Sequence, residues 1–492
     1  MTSEATIVSV GIDIGTTTTK VVFSRLALGN TAPAHQVSRY AFVARTILYA
    51  SPVYLTPVLP DGSIDVARLR DFIGREYERA GFAPAAVETG AVIITGESWK
   101  ARNAREALLR LSAELGDFVV ATAGPHLEGI LAGRGSGCAA YSERHFTTAV
   151  NVDIGGGTAN IAVFRSGAAY DSVCLNVGGR LIQTDTQGAV QRLCEPARML
   201  VRDGLGTVGE PLPPAAALTG GDLQRVAATM AELLAQCLRG GALSALARKL
   251  MLTAPLREPL PPDAPIFLSG GVGACFHEPE LTGGNPFAFG DIGPLFAAAL
   301  RIHPWFRAAR VLRPAHALRA TVIGVGAHAL RLSGNTIWMP RQALPLRNVP
   351  VLCPRVDWST TAPDLELPIR ASARLADLDL GRDLHALFMP REMPRTYAVI
   401  AHVAAALARF CSNLGATPLP LLILCYHDVG KALGMLLAPA LAGRALAVID
   451  EVDVKDGDFV DIGQSLLGGE LLPLTVKSLA FPAHETTDIA FR

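Results

Sequence analysis

The chain lacks any apolar run of the roughly twenty residues that a membrane-spanning helix needs. Its richest apolar tract, "ALGMLLAPALAG", is closed by Lys431 and Arg444 and broken by Pro439. The start, "MTSEATIVSV", has no basic region ahead of its apolar residues, so no secretory signal is expected. It also lacks net charge: 44 Lys and Arg balance 44 Asp and Glu. Without a basic excess, neither nucleic acid nor a membrane surface is an expected partner. No two of the eight cysteines (138, 174, 194, 237, 275, 353, 411 and 425) have C-x-x-C spacing. That pattern argues against a zinc or iron–sulfur site and for reduced thiols in a cytoplasmic protein. The 492 residues suffice for about three domains, and half of them are hydrophobic, enough for a large core.

Glycine is abundant, with 47 residues, and it clusters where apolar strands end. In "VSVGIDIGTTTTKVVFSRL", Val8, Val10, Ile12 and Ile14 alternate as in a strand, and Val21, Val22 and Phe23 form a second. Between them Gly15 and Thr16 to Thr19 predict a tight hairpin tip, with Asp13 at its base. Such a tip offers backbone N–H groups and hydroxyls to phosphate oxygens, and the acid can hold Mg²⁺, usually through its waters. An ordinary threonine-rich hairpin would read the same way. The segment "NVDIGGGTANIAVF" repeats the pattern: strand, Asp153, Ile154, then Gly155, Gly156, Gly157, Thr158 and a second strand. This internal repeat predicts two related half-domains whose hairpins clamp one polyphosphate. A third turn, in "APIFLSGGVGACFHEPE", carries Gly270, Gly271 and Gly273 after a strand and opens a helix, where a flat base can lie against backbone.

With three glycine turns in this order, the chain resembles the actin-like ATPase superfamily of sugar kinases, heat-shock chaperones and actins. The resemblance implies a duplicated α/β ATPase domain that binds ATP and Mg²⁺. Asp13, Gly15, Thr16 and Thr17 match the first phosphate motif, Asp153 to Thr158 the second, and Gly270, Gly271 and Gly273 the adenosine motif. Asp13 and Asp153 would then be the metal-facing catalytic acids. "LNVGGRLIQTD" is similar to the chaperone segment in which Gly-Gly precedes a helix, with Gly178 and Gly179 carrying the match. "RATVIGVGAHAL" resembles the last connecting helix.

Subdomain I is expected over residues 1–150 and subdomain II over 151–340. An inserted helical pair, "LQRVAATMAELLAQCL" and "ALSALARKLML", lies within the second. A separate α/β domain is expected over 341–492. Three other segments invite chemistry. "CYHDVGK" resembles the His-Asp core of metal-dependent phosphohydrolases, with His427 and Asp428 as ligands and His402 as partner; a loop after a buried strand is the preferred reading. "DGDFVDIGQSLLGGELLPLTVKSLAF" is similar to the hairpins that carry biotin or lipoate, but no lysine sits at a tip, and structural strands are expected. In "TGESWKARNAREALLRL", Glu97 and Lys100 stand near a helix start, as a surface cap or with the lysine directed at phosphate.

More specifically, "ITGESWKARNAREAL", "LGDFVVATAGPHLEGILAGRGSG", "NVDIGGGTANIAVF", "LNVGGRL" and the terminal "VDIGQSLLGGELLPLTVKSLAFP" resemble the ethanolamine ammonia-lyase reactivating-factor family. The resemblance implies a chaperone-like ATPase that opens the adenosylcobalamin-dependent lyase so that damaged cobalamin exchanges for intact cofactor. It implies the lyase as partner through either or both subunits, and cobalamin only indirectly. A cytoplasmic location is implied, with association with a bacterial microcompartment and homo-oligomer formation left open. Related chaperones carry a carboxylate before the proline of "TAGPHLEG", to orient the attacking water. Here that position is Gly124, and Glu128, one helical turn on, is the expected substitute. The alternatives are a small-molecule kinase, for which no base aspartate is identifiable, an iron–sulfur activator, and a filament-forming ATPase.

Overall fold

Two sheets of this protein share one strand order. The computed structural model describes residues 5–15, 18–30, 40–59, 63–87, 89–95, 119–122, 124–207, 214–314, 327–330, 337–338, 346–360, 362–415, 417–441, 443–462 and 474–478. In the first sheet, β1 (Ala5–Ile14), β2 (Thr18–Asn30) and β3 (Tyr40–Ala50) form an antiparallel meander, with β4 (Tyr54–Leu55) paired to β2. Then β5 (Thr89–Ile94) and β6 (Val119–Thr122) add in parallel on the other side of β1. In the second sheet, β7 (Thr148–Ile154), β8 (Ala159–Arg165) and β9 (Ala168–Leu175) repeat the meander. A two-stranded β10 (Ile182–Thr184) and β11 (Val190–Leu193) intervenes, and β12 (Ile266–Ser269) and β13 (Val311–Leu312) add in parallel. The orders β3-β2-β1-β5-β6 and β9-β8-β7-β12-β13 are the same, which is the duplicated sheet of the actin-like, ribonuclease H-like fold.

Helices cover one face of the first sheet and both faces of the second. Val10, Ile12, Ile14, Val21 and Phe23 pack on Leu69, Phe72, Ile73 and Tyr77 of the Val66–Ala80 helix. Asp65 caps that helix by accepting the Arg68 amide, and Gly81, at φ 76°, ends it. In the second half, Val150, Val152, Ile154, Ile161 and Val163 belong to the core of the Gly220–Arg239 and Gly293–Ile302 helices. The expected inserted pair is present as Gly220–Arg239, started by a Thr219–Asp222 capping box, and Ala245–Leu250. The two halves are joined by the Pro125–Gly135 helix, which leaves the end of β6 and lies on β7, β8 and β9. Gly133 lets it lie close: a Cβ there would fall 2.3 Å from the Phe164 ring.

A third sheet runs β14-β21-β20-β16-β17-β18-β19-β15. Its centre, β16 (Leu346–Leu352), β17 (Ala386–Met389), β18 (Leu421–Cys425) and β19 (Leu446–Ile449), is parallel, with the Glu366–Leu375, Tyr397–Leu414 and Gly430–Leu437 helices between successive strands. β14 (Ala327–Leu330), β15 (Ile337–Trp338), β20 (Asp458–Ile462) and β21 (Leu474–Ser478) flank it in antiparallel pairings. Residues 327–330 therefore depart from the expected connecting helix: pairing with β21 satisfies their backbone, and tertiary context overrides local preference. The rest of that segment lies outside the described residues. Within the terminal segment, residues 458–462 and 474–478 form expected structural strands, β20 pairing with β21. The 18-residue Tyr397–Leu414 helix has the length and hydropathy of a membrane span. It instead buries Val399, Val403, Leu407 and Phe410 in the core beneath the parallel strands.

Candidate functional site

The repeated hairpins close in the same way. The Gly15 amide donates to the Thr18 carbonyl at 2.9 Å, and the Gly155 amide to the Thr158 carbonyl at 3.0 Å. Asp13 lies opposite Lys20 in one ladder, and Asp153 opposite Asn160 in the other. Seven positions separate each pair, so the two aspartates occupy one structural place. Each is 6% exposed and takes a hydroxyl from a neighbouring parallel strand's end: Thr95 Oγ1 donates to Asp13 Oδ1 at 2.8 Å, and Ser269 Oγ to Asp153 Oδ1 at 2.6 Å. Thr56 braces the first tip, its hydroxyl donating to the Gly15 carbonyl at 2.7 Å. Thr16 and Thr17, and likewise Glu97 and Lys100, lie outside the described residues.

Burial pushes the Asp13 carboxyl above its ordinary range, while Lys20 and the Thr95 hydroxyl pull it down and the charge of Asp153 raises it further. The two carboxylates thus sense each other. A pair of hard oxygen donors suits Mg²⁺, which is usually held by one or two carboxylates with waters and substrate phosphates completing the shell. Among the described residues no group of three or more His, Cys, Asp or Glu is gathered for an all-protein metal cage.

Behind the second tip, Gly178 and Gly179 pack as backbone on backbone. The Gly179 amide donates to Gly155 O at 3.0 Å, and the Arg180 amide to Gly156 O at 2.7 Å. A Cβ on Gly178 would fall 2.5 Å from Gly156 O. The segment is followed by β10 rather than by the helix of the chaperone pattern, because Ile182–Thr184 pairs with β11. Arg180 reaches Asp291 at 3.6 Å, and burial lifts the Asp291 carboxyl to about 6.

The third turn lies at the end of β12, with the expected helix, Gly270–His277, opening directly after it. Its glycines divide by surroundings. Gly270 has φ +82°, and a Cβ there would stand 2.3 Å from the Ile154 carbonyl, so it seats the turn against the second hairpin. A Cβ on Gly273 would meet the Leu268 backbone at 2.7 Å, whereas Gly271 faces open space. Of the three, Gly271 is the one with room beside it for a ligand.

Glu128 lies in the first turn of the Pro125–Gly135 helix and is half-buried. The side-chain place at Gly124 is filled by the carboxyl of Asp377. Asp377, Thr95, Ser269 and Asp291 went unnoticed in the sequence, since each comes from a distant strand or loop. In "CYHDVGK", Cys425 ends β18, residues 426–429 form the expected loop, and Gly430 opens the next helix. His427 Nε2 donates to the Arg391 carbonyl and His402 Nε2 to the Pro363 carbonyl, so each spends a ring nitrogen on backbone.

The family model described as ethanolamine utilisation protein EutA matches residues 5–482. The ethanolamine ammonia-lyase reactivase EutA of Salmonella typhimurium is 48% identical over 477 residues, covering 97% of this chain and 99% of that protein. The protein of the same name from Escherichia coli is 48% identical over 478 residues, with the same shares covered. Among solved structures, ethanolamine utilization protein EutJ from Carboxydothermus hydrogenoformans has a TM-score of 0.33 and 16% identity, covering 64% of this chain and 88% of that one. The Aquifex aeolicus Ppx/GppA phosphatase has a TM-score of 0.33 and 16% identity, covering 56% and 71%.

Proposed function

The chain belongs to the ethanolamine utilisation protein EutA family, and on that premise we propose a reactivating factor for ethanolamine ammonia-lyase that is driven by Mg-ATP. The lyase is its partner, through one or both subunits, and it meets cobalamin only through that enzyme. The observation that carries the nucleotide part is the duplicated hairpin, with Asp13 and Asp153 at one structural place and each held by a strand-end hydroxyl. No observation favours the small-molecule kinase alternative.

In this reading Asp13 and Asp153 hold Mg²⁺ beside the nucleotide phosphates. The tips at Gly15 to Thr17 and Gly155 to Thr158 offer amides and hydroxyls to those phosphates. Gly178 and Gly179 support the second tip from behind, and Gly270, Gly271 and Gly273 shape the base end, with Gly271 against the nucleotide. Glu128, in the first turn of the crossing helix, orders the attacking water. Mg²⁺, when bound, neutralises charge on the phosphates. Since the two hairpins belong to different halves, contacts to one polyphosphate draw the halves together, and hydrolysis releases them. That change acts on the lyase only so far as the open and closed forms bind it differently. The protein works where the lyase works, in the cytoplasm, and in a bacterial microcompartment when the lyase is housed there.

The test mixes lyase inactivated with hydroxocobalamin or cyanocobalamin, this protein, ATP, Mg²⁺ and free adenosylcobalamin, omitting each in turn. Lyase activity should return only with the complete mixture. Equal recovery without the protein, or no recovery with everything present, would refute the reading.

A further inference from the structure

The start of the crossing helix is held by a residue 250 positions away in sequence. The Leu127 amide donates to Asp377 Oδ2 at 2.8 Å, and the backbone of His126 also favours the ionised form of that carboxyl. A helix start leaves amides without intrahelical partners. Gly124, the residue at the cap, has no side chain to take them. A Cβ on Gly124 would lie 2.4 Å from Asp377 Cγ. Asp377 therefore occupies the place of a capping side chain that residue 124 lacks, and takes the Leu127 amide.

The backbone of Asp377 bears this out. It follows the Glu366–Leu375 helix with φ 55°, its amide donating to Arg374 O at 3.1 Å and the next amide, Leu378, to Ala373 O at 3.0 Å. This is the helix ending whose left-handed residue is most often glycine, because a side chain there is strained. An unfavourable conformation retained in the chain points to a use for the side chain, and the carboxyl has one. Arg374 supplies a second anchor, with Nη2 2.5 Å from Oδ1 of the buried Asp171 in β9. Beyond these contacts the same two bodies part around a cleft of about 540 Å³, with Arg134 at the far end of the crossing helix and Arg355 and Asp456 among the residues lining it. At this face, then, polar anchors stand beside an open gap.

The crossing helix is where the two ATPase halves join, and its first turn carries Glu128. We propose that Asp377 is a positioning residue for nucleotide hydrolysis: through it the domain of the third sheet fixes the start of the crossing helix, and so gears ATP turnover to its own seating. The rate effect rests on the ATPase reading given above; the capping contact does not.

Hydrogen exchange and ATPase kinetics on the full chain test it. Asp377→Gly removes the carboxyl and relaxes the left-handed backbone, so the Glu366–Leu375 helix should keep its end. Exchange at the Leu127 amide should rise about tenfold, as expected for a lost helix cap. kcat should fall about tenfold with KM for ATP within about twofold, because positioning rather than binding is lost. Asp377→Asn keeps an acceptor and tolerates the backbone, and should recover much of the protection. Gly124→Ala should damage the protein that has Asp377 but add little in Asp377→Gly, since the added Cβ meets that carboxyl. Unchanged exchange in Asp377→Gly, or equal damage from Gly124→Ala in both backgrounds, would overturn the proposal. Wild-type protein without ATPase activity would remove the ATPase reading and the rate effect with it, while the exchange results still decide the capping contact.

Discussion

Asp13 and Asp153 occupy one place in the two hairpins, opposite Lys20 and Asn160, and each takes a hydroxyl from the end of a parallel neighbour strand. Burial raises the Asp13 carboxyl above its ordinary value, Lys20 and the Thr95 hydroxyl offset this in part, and the charge of Asp153 adds to the rise. Two buried carboxylates of which one raises the other are an arrangement that a divalent cation relieves and that no apolar core requires.

That relation has a pH signature. In the folded protein the Asp13 carboxyl titrates above its ordinary value of 3.8, so between that value and the raised one the folded state binds more protons than the unfolded. Its contribution to stability therefore falls as pH rises through this window and is level above it. In the proposed reading Mg²⁺ is held by the ionised pair, and should stabilise the protein more at pH 7 than at about pH 4, near the ordinary value. Thermal unfolding at the two pH values, with and without Mg²⁺, measures the difference. Equal stabilisation at both would place the cation elsewhere.

Removing either acid separates function from fold. Asp13→Ala or Asp153→Ala should lower ATP turnover by at least about 100-fold, as losing a metal-positioning group in the transition state does. Without Mg²⁺ the melting temperature should not drop, because the substitution also removes a repulsive buried charge. Turnover at the wild-type rate in both variants would end the assignment of these residues.

Adjacent glycines of the third turn should answer differently. Gly270→Ala places a methyl 2.3 Å from the Ile154 carbonyl at a left-handed backbone, and should cost roughly 2–4 kcal/mol of stability. A Cβ on Gly271 meets no neighbour within 4 Å, so the melting temperature of Gly271→Val should stay near wild type. Its nucleotide affinity should weaken by about 1–3 kcal/mol, the cost of a side chain in the ligand's space. Calorimetry for binding and chemical denaturation for stability give the two numbers.

The parts of this architecture that can be read from sequence are those written locally. The hairpins show because apolar alternation, an aspartate and a glycine tip recur within about a dozen residues, and the recurrence at Asp153 exposes the duplication. The hydroxyl partners Thr95 and Ser269 do not show, because a threonine or serine at a strand's end is ordinary until the parallel neighbour is known. Asp377 is further out of reach: its meaning depends on a residue 250 positions earlier having no side chain. The segment at residues 327–330 misleads for the same reason, as its partner, β21, is nearly 150 residues away in the chain. Gly178 and Gly179 stand out as a motif, but only the packed backbone of Gly155 and Gly156 shows what they support.

The nucleotide state should be legible in how the protein holds the lyase. ATP can favour one arrangement of the two halves only through contacts made on both hairpins at once, and the lyase can respond only if it binds the two arrangements unequally. The ATP-bound and ADP-bound forms should therefore differ in affinity for the lyase by about tenfold or more, which corresponds to a coupling of roughly 1.4 kcal/mol. By the reciprocity of linked binding, the lyase should change the ratio of ATP to ADP affinity by the same factor. Asp153→Ala, which disables one side of the clamp, should collapse both differences together. Binding of labelled lyase, titrated in each nucleotide, measures the first difference, and nucleotide titration with and without lyase measures the second. Identical lyase affinities in the two nucleotides would leave hydrolysis nothing to drive, and would disconnect the ATPase cleft from reactivation.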